Sequence, residues 1–217
     1  MNRKRVAVLI SGRGSNMAAL IEAAKDKNYP AEIALVLSNK ADAAGLNTAR
    51  AAGIATEVID HTPFGKDRAA FDAAMQAVLV KHRIDIVCLA GFMRLLTPGL
   101  VAQWPQRMIN IHPALLPAFK GLDTHKRVIE AGAKMHGATV HFVVAELDSG
   151  PIIVQAAVAV QKGDDEAALA ARVLKQEHRI YPLALKLLAE GRIQIANGRC
   201  LTDGVAVPDA ASLVPSA

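Results

Sequence analysis

The run Val6-Ala7-Val8-Leu9-Ile10-Ser11-Gly12-Arg13-Gly14-Ser15-Asn16 decides the architecture. Its first five residues are apolar and partly β-branched, the composition of a strand buried on both faces. The six that follow form a glycine-containing loop that leads into a helix. Glycines there let backbone N–H groups approach a ligand closely, and a helix N-terminus adds partial positive charge, so the loop is a candidate phosphate cradle. It departs from two familiar signatures. A G-x-G-x-x-G fingerprint needs Gly where Met17 stands, and a P-loop needs Gly-Lys-Ser/Thr. The alternative is a tight strand-to-helix turn with Ser15 or Asn16 as the cap.

Working outward, Ile33 to Leu37 and Ile84 to Ala90 are two more buried-strand candidates, with a short strand near Thr56 to Ile59. Between them lie helical stretches at Asn16 to Lys25, Ala43 to Ala52 and Lys66 to His82, the last with Phe71, Met75, Val78 and Leu79 on one face. Strands alternating with helices predict a parallel sheet covered on both sides. Beyond residue 90 the pattern is less regular. A strand at Arg107 to Ile111 leads into a Pro-rich loop, Pro113 to Gly121, and a helix from about Thr124 to Ala131. Ala138 to Ala145 and Ile152 to Val160 read as a strand pair around the turn formers of Glu146-Leu147-Asp148-Ser149-Gly150-Pro151. A long helix, Glu166 to Glu190, carries Leu169, Val173, Ile180, Leu183 and Leu187 at helical spacing and Pro182 as a kink candidate. One or two short strands are expected after Gly191. The expectation is a single α/β domain over 1–205 and a flexible tail over 206–217.

Composition bounds the function. The 217 residues are 52% hydrophobic and 21% charged, which excludes disorder as the main state. Lys and Arg number 25 against 20 Asp and Glu, a net charge of +5, but they are scattered, with no cluster beyond Arg3, Lys4 and Arg5. That balance suits anionic small molecules better than a nucleic-acid surface. The longest uncharged stretch, Ser149 to Gln161, holds 13 residues, too few to span a bilayer. The basic start before Val6 to Ile10 imitates a signal peptide, yet its apolar run ends after five residues, so a cytoplasmic protein is expected. Two cysteines, Cys88 and Cys200, are too few for a disulfide framework, and Cys88 reads as a buried, inert thiol.

Asn110-Ile111-His112-Pro113 ends a strand with Asn110 and His112 on the same side. An amide donor beside an imidazole suits oxyanion stabilisation with proton exchange, as acyl transfer requires. A histidine at a strand end is also a common structural residue. Asp148 matters if it folds back onto His112, because a carboxylate beside an imidazole favours the charged ring. Otherwise it is a turn aspartate. His125, His136 and His141 show no metal-ligand spacing, and neither H-E-x-x-H nor C-x-x-C occurs. Arg94 is a ligand-facing or a surface loop residue, Glu177 a substrate contact or a solvated helix residue, and Trp104 a packing anchor.

Together, Ile10 to Asn16, Leu89-Ala90-Gly91-Phe92-Met93-Arg94, Asn110-Ile111-His112-Pro113 with Leu115-Leu116-Pro117, His141-Phe142, Glu146 to Pro151 and Gln176-Glu177-His178 closely resemble the phosphoribosylglycinamide formyltransferases, over about residues 5 to 205. The resemblance implies a three-layer formyltransferase fold with a mostly parallel central sheet and a Rossmann-like N-terminal half. It implies formyl transfer from 10-formyltetrahydrofolate, as co-substrate, to the amine of phosphoribosylglycinamide, with no metal. By the same resemblance, Asn110, His112 and Asp148 are the catalytic trio. Asn110 and protonated His112 would stabilise the oxyanion, and Asp148 would orient His112 and keep it charged. Gly14, Ser15, Asn16 and Glu177 match the phosphoribosyl side, and Arg68, Met93, Arg94, Leu95, Leu96, Asn110 and Val144, Ala145, Glu146, Leu147 and Asp148 match the folate side.

Ala114 and Ser149 depart from the family pattern, which often has Ser and Gly there, and remove no catalytic group. Partners are then small molecules, with neither nucleic acid nor membrane, and the protein a monomer or homodimer. Three rivals remain. A formyltetrahydrofolate hydrolase shares the trio but usually carries an N-terminal regulatory domain, for which five residues before the first strand leave no room. A methionyl-tRNA formyltransferase is expected to be longer. A non-catalytic nucleotide- or folate-binding module would have no need of the intact trio.

Overall fold

Successive residues of the first strand enter different cores. Val6, Val8 and Ile10 join one apolar cluster, and Ala7 and Leu9 join another. A strand dry on both faces needs a covering layer on each. The computed structural model, which describes residues 3–203, supplies both. In chain order its elements are β1 (Lys4–Ile10), α1 (Ser15–Ala24), β2 (Ala31–Ser38), α2 (Gly45–Ala51), β3 (Ala55–Val58), α3 (Arg68–Lys81), β4 (Ile86–Leu89), α4 (Pro98–Val101), β5 (Met108–His112), α5 (Thr124–Glu130), β6 (Met135–Phe142), β7 (Ile152–Ala159), α6 (Glu166–Ala189), β8 (Ile193–Ala196) and β9 (Arg199–Thr202). Residues of α1, α2, α5 and α6 pack on the Val6 side, and those of α3 and α4 on the Leu9 side, giving three layers.

Seven strands form one sheet in the order β3-β2-β1-β4-β5-β6-β7, and β8 and β9 form a separate hairpin. β6 alone runs against its neighbours in the large sheet, because β7 pairs antiparallel with β6 and so returns to the direction of β5. The chain leaves β1 toward β2 and β3, then crosses back to β4 on the other side of β1. Such a reversal opens a crevice at the carboxyl ends of the two strands, the usual ligand site of an open α/β sheet. Here that end carries the Ser11–Asn16 loop, the Gly91–Thr97 connection and, one strand further, His112.

The expected alternation of strands and helices is present, with shifted ends. Asp67 caps α3, accepting a hydrogen bond from the Ala70 N–H, so the helix starts two residues later than its apolar pattern suggests. The strand expected over Ala138 to Ala145 instead spans Met135–Phe142. Gly137, one residue before the expected start, lies in the ladder, where a Cβ would stand 2.0 Å from the Ala156 carbonyl oxygen. Leu183 falls at the edge of the α6 stripe and is 41% exposed, whereas Leu169, Val173, Ile180 and Leu187 are buried as expected. Pro182 sits inside a continuous helix. The four-residue α4 has no counterpart in the sequence reading. Trp104 is buried, with its indole N–H donating to Gln76 Oε1 at 2.8 Å, and Cys88 is buried, its thiol pushed up to about 12 by desolvation. The tail expected over 206–217 lies outside the described residues.

Candidate active site

β5 is held by a parallel ladder to β4 and an antiparallel ladder to β6, and the second sets Asn110 directly opposite His141. His141 Nδ1 lies 2.8 Å from the Phe142 carbonyl, which can only accept, so Nδ1 carries the proton. Its Nε2 is then the acceptor for the Asn110 amide, 3.2 Å away. Burial keeps the His141 imidazole below its ordinary range, against the opposing pull of the Phe142 carbonyl and of Asp148. The pair fixes which way the Asn110 amide points and leaves its second Nδ2 hydrogen for another acceptor.

His112 is buried two residues on. Its Nε2 donates to the Phe119 carbonyl at 3.0 Å, and its Nδ1 stands 3.4 Å from Asp148 Oδ2. Asp148 arrives there because the turn after β6 folds flat. The Phe142 N–H donates to the Pro151 carbonyl, and Gly150 presses so close to the Phe142 carbonyl that a Cβ would lie 1.8 Å from its oxygen. Asp148 itself takes a left-handed conformation, φ 49°, and its Oδ2 accepts the Gly121 N–H at 2.9 Å. Both ring nitrogens of His112 thus face oxygens that accept, and Asp148 Oδ1 is 3.7 Å from His141 Nε2. Asp148 thus folds back onto His112, and Asn110 joins the pair through His141.

The glycine loop ends in Gly14, which holds the N-cap position of α1 in a left-handed conformation, φ 71°, without a side-chain hydrogen bond. Neither Ser15 nor Asn16 caps the helix. The Asn16 side chain instead reaches α6, its Nδ2 donating to Glu177 Oε2 at 2.6 Å. Glu177 is buried, and desolvation raises its carboxyl above the ordinary value while the Asn16 bond opposes this. α6 is pinned over the crevice by Tyr181, whose hydroxyl donates to the Leu89 carbonyl at 2.8 Å. With β4 between them, β1 and β5 place the loop and the trio about 10 Å apart by strand spacing alone.

The third group lines the open side. Met93 and Leu95 are 64% and 59% exposed, and Val144, Ala145, Glu146 and Leu147 are all exposed. Arg94 and Leu96 are half-buried. Exposed apolar side chains next to buried polar ones suit a ligand with a flat apolar body. Arg68, at the start of α3, turns onto the backbone of this segment, its guanidinium donating to the carbonyls of Leu95 at 2.8 Å and Leu96 at 3.2 Å. Among the described residues no group of three or more His, Cys, Asp or Glu side chains is placed to hold a metal ion. His125 and His136 form a pair only, with Nδ1 and Nε2 3.0 Å apart.

His141 and Ser11 support the site through contacts that no motif in the sequence displays. Ser11 Oγ accepts the Met93 N–H at 2.8 Å and donates to Asn39 Oδ1, tying the glycine loop to the open segment.

Comparison with known proteins gives consistent relatives. Residues 4–185 match the family described as formyl transferase. The chain is 45% identical over 203 residues to the phosphoribosylglycinamide formyltransferase of Escherichia coli (strain K12), covering 94% of this chain and 95% of that one. It is 50% identical over 198 residues to the trifunctional purine biosynthetic protein adenosine-3 of Homo sapiens, covering 91% of this chain but only 20% of that protein's length. A solved structure, glycinamide ribonucleotide transformylase 1 from Symbiobacterium toebii, superimposes with a TM-score of 0.89 at 46% identity, covering 92% of this chain and 94% of that one.

Proposed function

The chain belongs to the formyl transferase family, and from that premise we propose that it transfers the formyl group of 10-formyltetrahydrofolate to the amine of N1-(5-phospho-D-ribosyl)glycinamide in purine biosynthesis. The observation that carries the reading is the buried His112–Asp148 pair, 3.4 Å apart, two residues along the strand from the oriented Asn110 amide.

In this reading the co-substrate supplies an electrophilic formyl carbon, and the glycinamide amine attacks it. The carbonyl electrons move onto oxygen. The free Nδ2 hydrogen of Asn110 donates to that oxygen, a contact of a kind whose removal costs about 10²-fold or more in rate. His112 supplies the positive charge beside it. Its Nδ1 faces Asp148 and its Nε2 donates to the Phe119 carbonyl, so its contribution is the charge of the ring. Asp148 orients the imidazole, and the proton leaving the amine reaches the departing folate nitrogen through water. Gly14, Ser15 and Asn16 cradle the phosphoribosyl group, and buried Glu177 holds a hydroxyl or amine of the same substrate. Met93, Arg94, Leu95, Leu96 and Val144 to Leu147 receive the folate, with Arg68 shaping the segment.

We read residues 1–205 as the catalytic unit, acting in the cytoplasm on small molecules as a monomer or homodimer, without nucleic-acid or membrane partners. No helix among the described residues is long and apolar enough to cross a membrane.

The test is a turnover assay with 10-formyltetrahydrofolate, with and without the phosphoribosylglycinamide acceptor. Tetrahydrofolate formed only with acceptor, in step with formylated glycinamide, is the expected result. Tetrahydrofolate and formate formed without acceptor make the protein a hydrolase, and binding without turnover makes it a non-catalytic module.

A further inference from the structure

The connection from Gly91 to Thr97 carries four of the folate-side residues, yet no ladder or helix holds its shape. Apart from the Ser11 N–H that donates to the Gly91 carbonyl at 3.2 Å, side chains grip its backbone. Three do so. Ser11 Oγ accepts the Met93 N–H, Arg68 donates to the carbonyls of Leu95 and Leu96, and Asp72 Oδ2 accepts the Thr97 N–H at 2.7 Å. Arg68 and Asp72 are one helical turn apart on α3, so a single helix face holds one backbone group from each of three consecutive residues, Leu95, Leu96 and Thr97.

Asp72 differs from the other two. It is 3% exposed, on the buried stripe of α3 shared with Phe71, Met75 and Leu79. Its second oxygen, Oδ1, is buried without a hydrogen-bond partner among the described residues. A carboxylate so placed costs stability relative to an apolar side chain of similar size, because a buried acceptor loses its water. Packing therefore does not account for an acid at this position. The one bond it makes does two things. It fixes Thr97, and the Thr97 hydroxyl in turn accepts the Leu100 N–H and caps α4.

We propose that Asp72 is a positioning residue for the co-substrate side of the site, its buried carboxylate holding Thr97 so that Met93 to Leu96 present themselves to the formylfolate. This rests on reading that connection as folate-facing. Asp72 acts through the backbone and touches neither substrate.

The test compares Asp72→Ala, Asp72→Leu and Asp72→Asn in the full chain. Leu fills the volume without an acceptor and so folds even where Ala leaves a cavity, whereas Asn keeps an oxygen that accepts the Thr97 N–H. The expected result is a KM for 10-formyltetrahydrofolate raised about tenfold in the Leu and Ala variants, with the KM for phosphoribosylglycinamide within about twofold and rescue by Asn. An equal rise in both KM values, or a fall in kcat with both unchanged, overturns the proposal. Amide hydrogen exchange at Thr97 is read on the same proteins without any ligand. Protection in the starting protein and in Asp72→Asn, lost in Asp72→Leu, supports the clamp even if the substrate assignment fails. Fast exchange in the starting protein overturns the clamp whatever the substrate is.

Discussion

The Asp148 carboxylate stands 3.4 Å from His112 Nδ1, with both side chains only 6% exposed. A polar contact this dry is strengthened by the low local dielectric, and its orientation is set because Asp148 Oδ2 also takes the Gly121 N–H. Replacing Asp148 by Asn keeps the shape and the Gly121 contact but removes the negative charge that faces the ring. The expected outcome is a kcat lower by roughly 10²-fold or more with formylfolate binding nearly retained, since charge opposite the ring matters most when the oxyanion forms. Stopped-flow turnover combined with calorimetric folate binding checks it, and an unchanged kcat removes Asp148 from the mechanism.

His141 acts one contact further out, by accepting the Asn110 amide hydrogen on a ring whose other nitrogen is committed to the Phe142 carbonyl. With His141→Phe the Asn110 amide loses the partner that fixes it, while the ring volume is nearly kept. We expect kcat to fall by about tenfold to a hundredfold and both KM values to stay within about twofold. Steady-state kinetics with each substrate varied in turn reads this; a folding defect also lowers apparent kcat at constant KM, so the folded fraction is measured on the same preparation and kcat is taken per folded molecule.

These two cases show what a linear sequence carries. Asn110 and His112 lie on one strand with a period of two, so their common side is legible directly. His141 and Asp148 require the β5–β6 register and the fold-back at Gly150, and register in an antiparallel pair follows from packing that the string of residues does not display. The layer structure was legible because the strands of the first half are short apolar runs between amphipathic helices. Of the two readings of the glycine loop, the one with Ser15 or Asn16 as cap does not hold, because Gly14 takes the N-cap position of α1 and Asn16 is free to reach Glu177, 161 residues away in sequence. Asp72 left a signal that was available, an acid among Phe71, Met75 and Leu79 on an otherwise apolar stripe.

Glu177 joins α6 to the glycine loop through the 2.6 Å bond from Asn16, and burial favours its neutral form. Asn16 Oδ1 is buried and has no partner among the described residues, so the pair has acceptor capacity to offer a hydroxyl or amine of the substrate. Changing Glu177 to Leu removes the carboxyl that holds the Asn16 Nδ2, so the Asn16 side chain is no longer fixed to offer its Oδ1. The expected effect is a KM for phosphoribosylglycinamide raised by about tenfold or more with the folate KM unchanged, read from initial rates. A selective rise in the folate KM places Glu177 on the wrong side of the site.

Acid stability is the last consequence, and its sign follows from the histidines. Burial lowers His125, His136, His141 and His178, and His136 is pushed from 6.5 to about 4. His136 faces His125 on α5 at 3.0 Å. His112 disfavours a second charge on either ring, and Glu166 favours one on His125. Between about 6.5 and 4 the unfolded chain therefore binds more protons than the folded one, so stability falls as the pH is lowered through that window. Glu177 opposes this. Its raised carboxyl keeps a proton in the folded state, a contribution lost as the pH rises through its folded value. It is one group against four. Asp164, held down at about 2 by Arg172, loses its contribution only in stronger acid. Urea denaturation at pH 7 and pH 5 should give a lower midpoint at pH 5. His136→Gln keeps a polar partner for His125 but removes the titrating ring, and should narrow the difference; an identical pH dependence in that variant would assign the acid sensitivity to other groups.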